Sequence, residues 1–182
     1  MKRRFALPAL VVAAAMVVAC AAPTPNDYAA EKPVLDLKSY FNGELVAHGL
    51  FTDRAGKVAR RFVVQMTGTW QGRHGTLDER FTYSDGATER RIWRLTDQGN
   101  GRWTGRADDV VGVAEGRSAC NALNWRYTLK LPVDGKVYEL QFDDWMYLMD
   151  ERVMLNKAVM SKFGIRLGEV TLAFFKKPPD RQ

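Results

Sequence analysis

Residues 124–131 read Asn-Trp-Arg-Tyr-Thr-Leu-Lys-Leu, and residues 137–145 read Val-Tyr-Glu-Leu-Gln-Phe-Asp-Asp-Trp. In the first segment Trp125, Tyr127, Leu129 and Leu131 alternate with Asn124, Arg126, Thr128 and Lys130. In the second, Tyr138, Leu140 and Phe142 alternate with Glu139, Gln141 and Asp143. A period of two places the alternating sets on opposite faces of an extended chain, so each segment is a strand with one apolar and one polar side. Asp134, Gly135 and Lys136 lie between them and have the chemistry of a tight turn, which makes the pair a hairpin.

The same punctuation recurs upstream. Turn-forming clusters at 53–56, 71–75, 84–86 and 97–101 separate segments rich in β-branched and aromatic residues at 45–52, 58–70, 76–83, 88–96 and 102–107, with a shorter candidate at 110–114. Downstream, 152–160 reads either as a strand with Val153, Leu155 and Val159 on one face or as a short helix. Residues 169–175 form a terminal strand before Pro178 and Pro179. About eight to ten short antiparallel strands joined by tight turns predict an all-β domain, a single up-and-down barrel of the lipocalin-like kind, because closure removes exposed sheet edges. A helical turn at 35–41 is placed to cap one end.

The chain begins differently. Lys2, Arg3 and Arg4 precede an apolar run at 5–18, too short and alanine-rich for a permanent span, ending in Val17, Val18, Ala19 and Cys20. That order matches a lipobox, in which the cysteine thiol takes a diacylglyceryl thioether and cleavage then frees its amino group for another acyl chain. Each buried methylene contributes about 0.8 kcal/mol, so two or three chains on Cys20 would hold the protein firmly to a bilayer. The expected organisation is a signal peptide at 1–19, a lipidated cysteine and flexible tether at 20–34 carrying Pro23, Pro25 and Pro33, and one barrel at 35–178. Ala21 and Ala22, in place of an aspartate after the cysteine, favour the outer membrane over the inner, with the domain facing the periplasm.

Removing the signal takes three of the 27 Lys and Arg residues and halves the formal net charge of +6, so the basic composition makes no case for a nucleic-acid partner. An acylated Cys20 cannot form a disulfide, which leaves Cys120, the second cysteine, unpaired and expected as a small packing residue.

Several stretches resemble a bacterial lipoprotein family, domain of unknown function 3833. They include Tyr40, Phe41, Asn42 and Gly43, then Gly49, Phe51, Asp53, Arg54 and Gly56. Gly68, Thr69 and Trp70 match, as do the residues of 79–86 and 108–112. Asp144 to Leu148 and Met160 to Gly164 complete the likeness, which spans nearly the whole domain. The family pattern places glycine before the asparagine at Asn121, where this chain has Cys120; that departure argues against Cys120 as a shared catalytic group. The resemblance implies a lipoprotein whose gene neighbours include cyclopropane-fatty-acid-synthase-like methyltransferases, hence a link to envelope fatty-acid metabolism or stress, but no activity.

His48 and His74 fall in different hairpins without metal-ligand spacing, so no metal is expected. Asp143 with Asp144, and Asp108 with Asp109, could each offer a general acid, but adjacent strand residues point to opposite faces and form no carboxylate dyad. No phosphate loop, nucleophile elbow or zincin helix is present, and no cofactor is expected. If Arg90, Ile92 and Arg94 share one face with Trp93 nearby, they would suit a fatty-acid carboxylate or lipid headgroup; the competing reading is Glu and Arg pairing on the solvent face. Trp125, Trp145 and Tyr83 are further candidates to line an apolar cavity, which the aromatic residues could equally fill. The leading expectation is a non-catalytic, membrane-anchored binder of a hydrophobic or lipid-derived ligand. The alternatives are an accessory lipoprotein that recruits an envelope enzyme, and a lipid-modifying enzyme using Asp144, His48 or Cys120.

Overall fold

Alternation along the chain becomes inside and outside of a closed cylinder. The computed structural model describes residues 22–133 and 135–178; the signal-like segment and Cys20 lie outside the described residues. Ten antiparallel strands follow one another around the wall: β1 (Gly43–Asp53), β2 (Val58–Gln71), β3 (His74–Tyr83), β4 (Thr88–Gly99), β5 (Arg102–Arg106), β6 (Ala114–Ala119), β7 (Ala122–Val133), β8 (Lys136–Leu148), β9 (Val153–Lys162) and β10 (Ile165–Lys176). Each pairs with its sequence neighbours, and β10 closes on β1. This is an up-and-down, lipocalin-like barrel without a free sheet edge.

The hairpin that announced the fold has the register its pattern requires. Tyr127 lies opposite Phe142 and Leu129 opposite Leu140, and the Tyr127 and Phe142 rings stack with centroids 5.0 Å apart. One segment differs from expectation, and a second takes the strand form of the two readings open to it. Residues 110–113 are turn and loop, joined to the wall by a bridge from Val110 to Leu129 and by a hydrogen bond from Arg106 to the Gly112 carbonyl, whereas Ala114–Ala119 is the strand. The inward face of this strand needs small residues: a Cβ at Gly116 would collide with the Trp125 ring, which fills the space in front of β6. Residues 153–162 form a strand, β9, and its inward residues are Met154, Asn156, Ala158 and Met160; Val153, Leu155 and Val159 share the outer face.

One end of the barrel is plugged. Asp36 accepts hydrogen bonds from the backbone N–H groups of Lys38 and Ser39 and so caps a single helical turn, α1 (Leu37–Tyr40), which turns Leu37 and Phe41 into the lumen. Gly68 lies against the Phe41 carbonyl, where no Cβ would fit. Lys176 Nζ donates to the carbonyls of Ser39, Tyr40 and Asn42 at 2.7, 2.8 and 2.6 Å, neutralising the end of the turn.

The described part of the expected tether is docked. Residues Pro25–Tyr28 form a 3-10 turn, and the Tyr28 ring sits against Trp145 and Tyr147 on the outside of β8, with its hydroxyl 3.1 Å from that of Tyr147. The Cys120 thiol donates to the carbonyl of Ala29 and the Cys120 carbonyl accepts from Leu35 N–H, which fastens this segment to the β6–β7 turn. Cys120 has φ 45°, a left-handed conformation that favours glycine, and is half-buried rather than packed in the core.

Candidate functional site

The inward residues do not fill the barrel. They leave a cavity of about 300 Å³, floored by Leu37 and Phe41 and at the small end of the range for ligand sites. Its wall is mainly aromatic and aliphatic. Trp93 packs edge-on against both Trp125 and Tyr127, with centroids 5.7 and 5.4 Å away, and Phe62, Phe81 and Phe142 continue the lining. At the end away from α1, Arg60, Tyr83 and Glu89 line the cavity and reach solvent: the Arg60 and Glu89 side chains are 37% and 41% exposed. The Arg60 guanidinium lies over the Tyr83 ring at 3.5 Å, and the Tyr83 hydroxyl donates to Glu89 at 2.8 Å.

Inside this apolar wall is a set of ionisable groups. Arg91, from β4, points inward and is 12% exposed. It meets Asp109 at 2.8 Å, Glu89 at 3.6 Å and Glu79 at 3.8 Å. Asp109 comes from the loop between β5 and β6, and Glu79 lies directly across from Arg91 on β3. Asp144, inward on β8, and Asn156, inward on β9, are 7% and 2% exposed. Burial pushes the Glu79 carboxyl up to about 7, against the pull of Arg91. Burial and the neighbouring Asp143 push Asp144 up to about 8. The Tyr127 hydroxyl is driven well above its ordinary range, first by burial and then by the charge of Asp144. Near neutrality the interior therefore holds the Arg91 cation and two carboxyls that readily retain protons, with the second lining cation, Arg60, at the mouth.

Among the described residues, Asp144 Oδ1 and Asn156 Oδ1 are buried and have no hydrogen-bond partner in the protein. The orientation of the Asn156 amide is set by its nitrogen, which donates to the Trp145 carbonyl at 3.3 Å and leaves the oxygen free. Buried acceptors without donors are uncommon and costly, and these two line a cavity.

Of the residues singled out in the sequence, Trp93, Trp125 and Tyr83 line the cavity. Arg90 and Arg94 do not. Both are on the outer face of β4, where Arg90 makes a two-pronged contact with Asp78 at 2.9 and 2.8 Å and Arg94 meets Asp108 at 3.3 Å. The core burial of Trp93 and Leu95 decides this: with the odd positions of β4 inward, Arg90, Ile92 and Arg94 must face out. Trp145 is likewise external, stacked on Tyr147. Arg91, Glu79 and Asn156 are among the lumen residues that sequence reading did not assign to a site; the Glu79–Arg91 opposition across a hairpin was the available signal. His48 is exposed beside Phe175, and exposed His74 contacts Thr96. Among the described residues no group of three His, Cys, Asp or Glu could hold a metal ion.

The family model described as protein of unknown function (DUF3833) matches residues 14–177, and the chain belongs to that family. No curated protein matches the chain. Among solved structures it is similar to the S-type phycobiliprotein lyase CPES from Guillardia theta, with TM-score 0.57 and 6% identity, over 76% of this chain and 89% of that one. At that identity the likeness is one of fold. EF1p2_mFAP2b bound to DFHBI overlaps 77% of this chain and 99% of its own at 10% identity, with TM-score 0.43.

Proposed function

We propose that this protein is a non-catalytic carrier of a hydrophobic or amphiphilic small molecule, lipid-derived and held within the barrel. The observation that carries the reading is the cavity of about 300 Å³, walled by Trp93, Trp125, Tyr127 and Phe142 and holding unpartnered buried acceptors. A barrel meant only to be stable would fill that space, since unfilled core volume and unsatisfied polar atoms both cost stability. The lipobox at Cys20 supports a setting in the bacterial envelope, with the barrel tethered to a membrane, facing the periplasm and drawing its ligand from envelope lipids. The likeness in fold to a phycobiliprotein lyase is compatible with a barrel that accepts an organic molecule, and contributes no residue to the argument.

Native mass spectrometry of the chain purified from a bacterial host tests the reading. The expected result is a bound species of a few hundred daltons that organic extraction removes. A chain that is ligand-free in every preparation, and takes up no amphiphile offered to it, overturns it. The anchoring is tested separately by metabolic labelling with palmitate: label should be incorporated and then lost in Cys20→Ala.

A further inference from the structure

The lumen is rich in acceptors and short of donors. Arg91, its interior cation, is already engaged by Asp109, Glu89 and Glu79. Arg60, at the mouth, is held by Asp85 at 2.8 Å. Among the described residues, two of the buried polar atoms without partners, Asp144 Oδ1 and Asn156 Oδ1, are oxygens that project from adjacent strands into the same interior space, whereas the unpartnered Nε–H of Arg60 lies at the mouth. A carboxylate carried past the mouth to Asp144 and Asn156 would find the interior guanidinium of Arg91 already committed, and it would add a negative charge near Glu89 and Asp109. A hydroxyl or an ammonium would supply what these oxygens lack, at no such electrostatic cost.

We infer that the polar end of the bound molecule is a hydrogen-bond donor, a hydroxyl or an amine, seated on Asp144 and Asn156 in the interior, and that a carboxylate is disfavoured at that seat. The inference rests on the carrier reading above and specifies the class of ligand. It reverses the sequence-based expectation of a fatty-acid carboxylate held by arginine.

The test compares three ligands with the same chain length, decanol, decylamine and decanoate, at pH 7.5. They are titrated into the full chain carrying Cys20→Ala, which prevents acylation and leaves every described residue intact. Binding is read from the fluorescence of Trp93 and Trp125, which form part of the cavity wall. Decanol or decylamine should bind at least tenfold more tightly than decanoate, and the difference between these two identifies the donor as neutral or cationic. Asn156→Leu should weaken the preferred ligand at least fivefold while leaving decanoate unchanged. Should that variant fail to fold, the three-ligand comparison on the Cys20→Ala chain still decides. If decanoate binds saturably and as tightly as the others, the donor inference fails and the carrier reading survives. If none of the three binds saturably, both fail.

Discussion

The inner and outer faces of β4 carry the same side chain in opposite settings. Arg91, on the inner face, is 12% exposed and surrounded by Asp109, Glu79 and Glu89. Its neighbours in sequence, Arg90 and Arg94, are 56% and 63% exposed, and each is paired with an aspartate at the barrel surface. Water screens the outer pairs, so they contribute little to stability. Inside, the carboxylates depend on the guanidinium for their solvation, and removing one partner leaves the others uncompensated. Position relative to the wall, more than residue type or pair distance, sets what each arginine does.

The largest effect should come from breaking the inner network. Arg91→Met is expected to lower unfolding free energy by about 3–5 kcal/mol in urea titrations. An unchanged midpoint would mean that Glu79 and Asp109 are solvated by something other than Arg91.

Next is the response to pH. Glu79 and Asp144 have folded-state values raised to about 7 and 8 from ordinary values of 4.5 and 3.8. Between these limits the folded chain binds more protons than the unfolded one, so stability is greatest near the lower edge and declines as pH rises towards 8. The slope is at most about 1.4 kcal/mol per pH unit for each group. Melting temperatures at pH 5, 6, 7 and 8 should fall in that order, and Asp144→Asn should flatten the decline. A flat profile in the parent chain would show that the carboxyls titrate normally.

Smaller again is the effect at the mouth. Tyr83→Phe removes the hydrogen bond to Glu89 but retains the ring beneath Arg60, and should cost about 1 kcal/mol. A loss comparable to that of Arg91→Met would extend the buried network to the rim. Least of all, Arg90→Met and Arg94→Met should leave the urea midpoint unmoved; a clear shift in either would erase the distinction between the two faces.

The sequence carried much of the wall and little of the site. On β7 one face is Trp125, Tyr127, Leu129 and Leu131 and the other is polar, so the inward set could be assigned from hydrophobicity. On β4 that rule loses its force: odd positions give Glu89, Arg91, Trp93 and Leu95, even positions give Arg90, Ile92 and Arg94, and both faces mix charge with apolar surface. A one-residue change in parity exchanges Arg91 for its neighbours, and with it the predicted ligand. Residues 115–119 have the opposite difficulty. Gly116, inward on this strand, has no side chain because Trp125, from the neighbouring strand, occupies the space in front of it, and nothing local records that fact.

The sequence by itself determined the antiparallel strands and most of their turns, because period-two alternation and turn chemistry are local properties of the chain. The expectation of a lipobox at Cys20 is likewise a reading of linear sequence. Tertiary structure alone decided that Arg91, Glu79 and Asp109 from two strands and a loop share one environment, that Asp144 Oδ1 and Asn156 Oδ1 lack partners there, and that Trp145 lies outside with Tyr28. Those outcomes follow from closure of the sheet, which sets both the distances between remote residues and the access of water to them. Burial, and hence the worth of each charge, is a property of the closed barrel that no segment possesses alone.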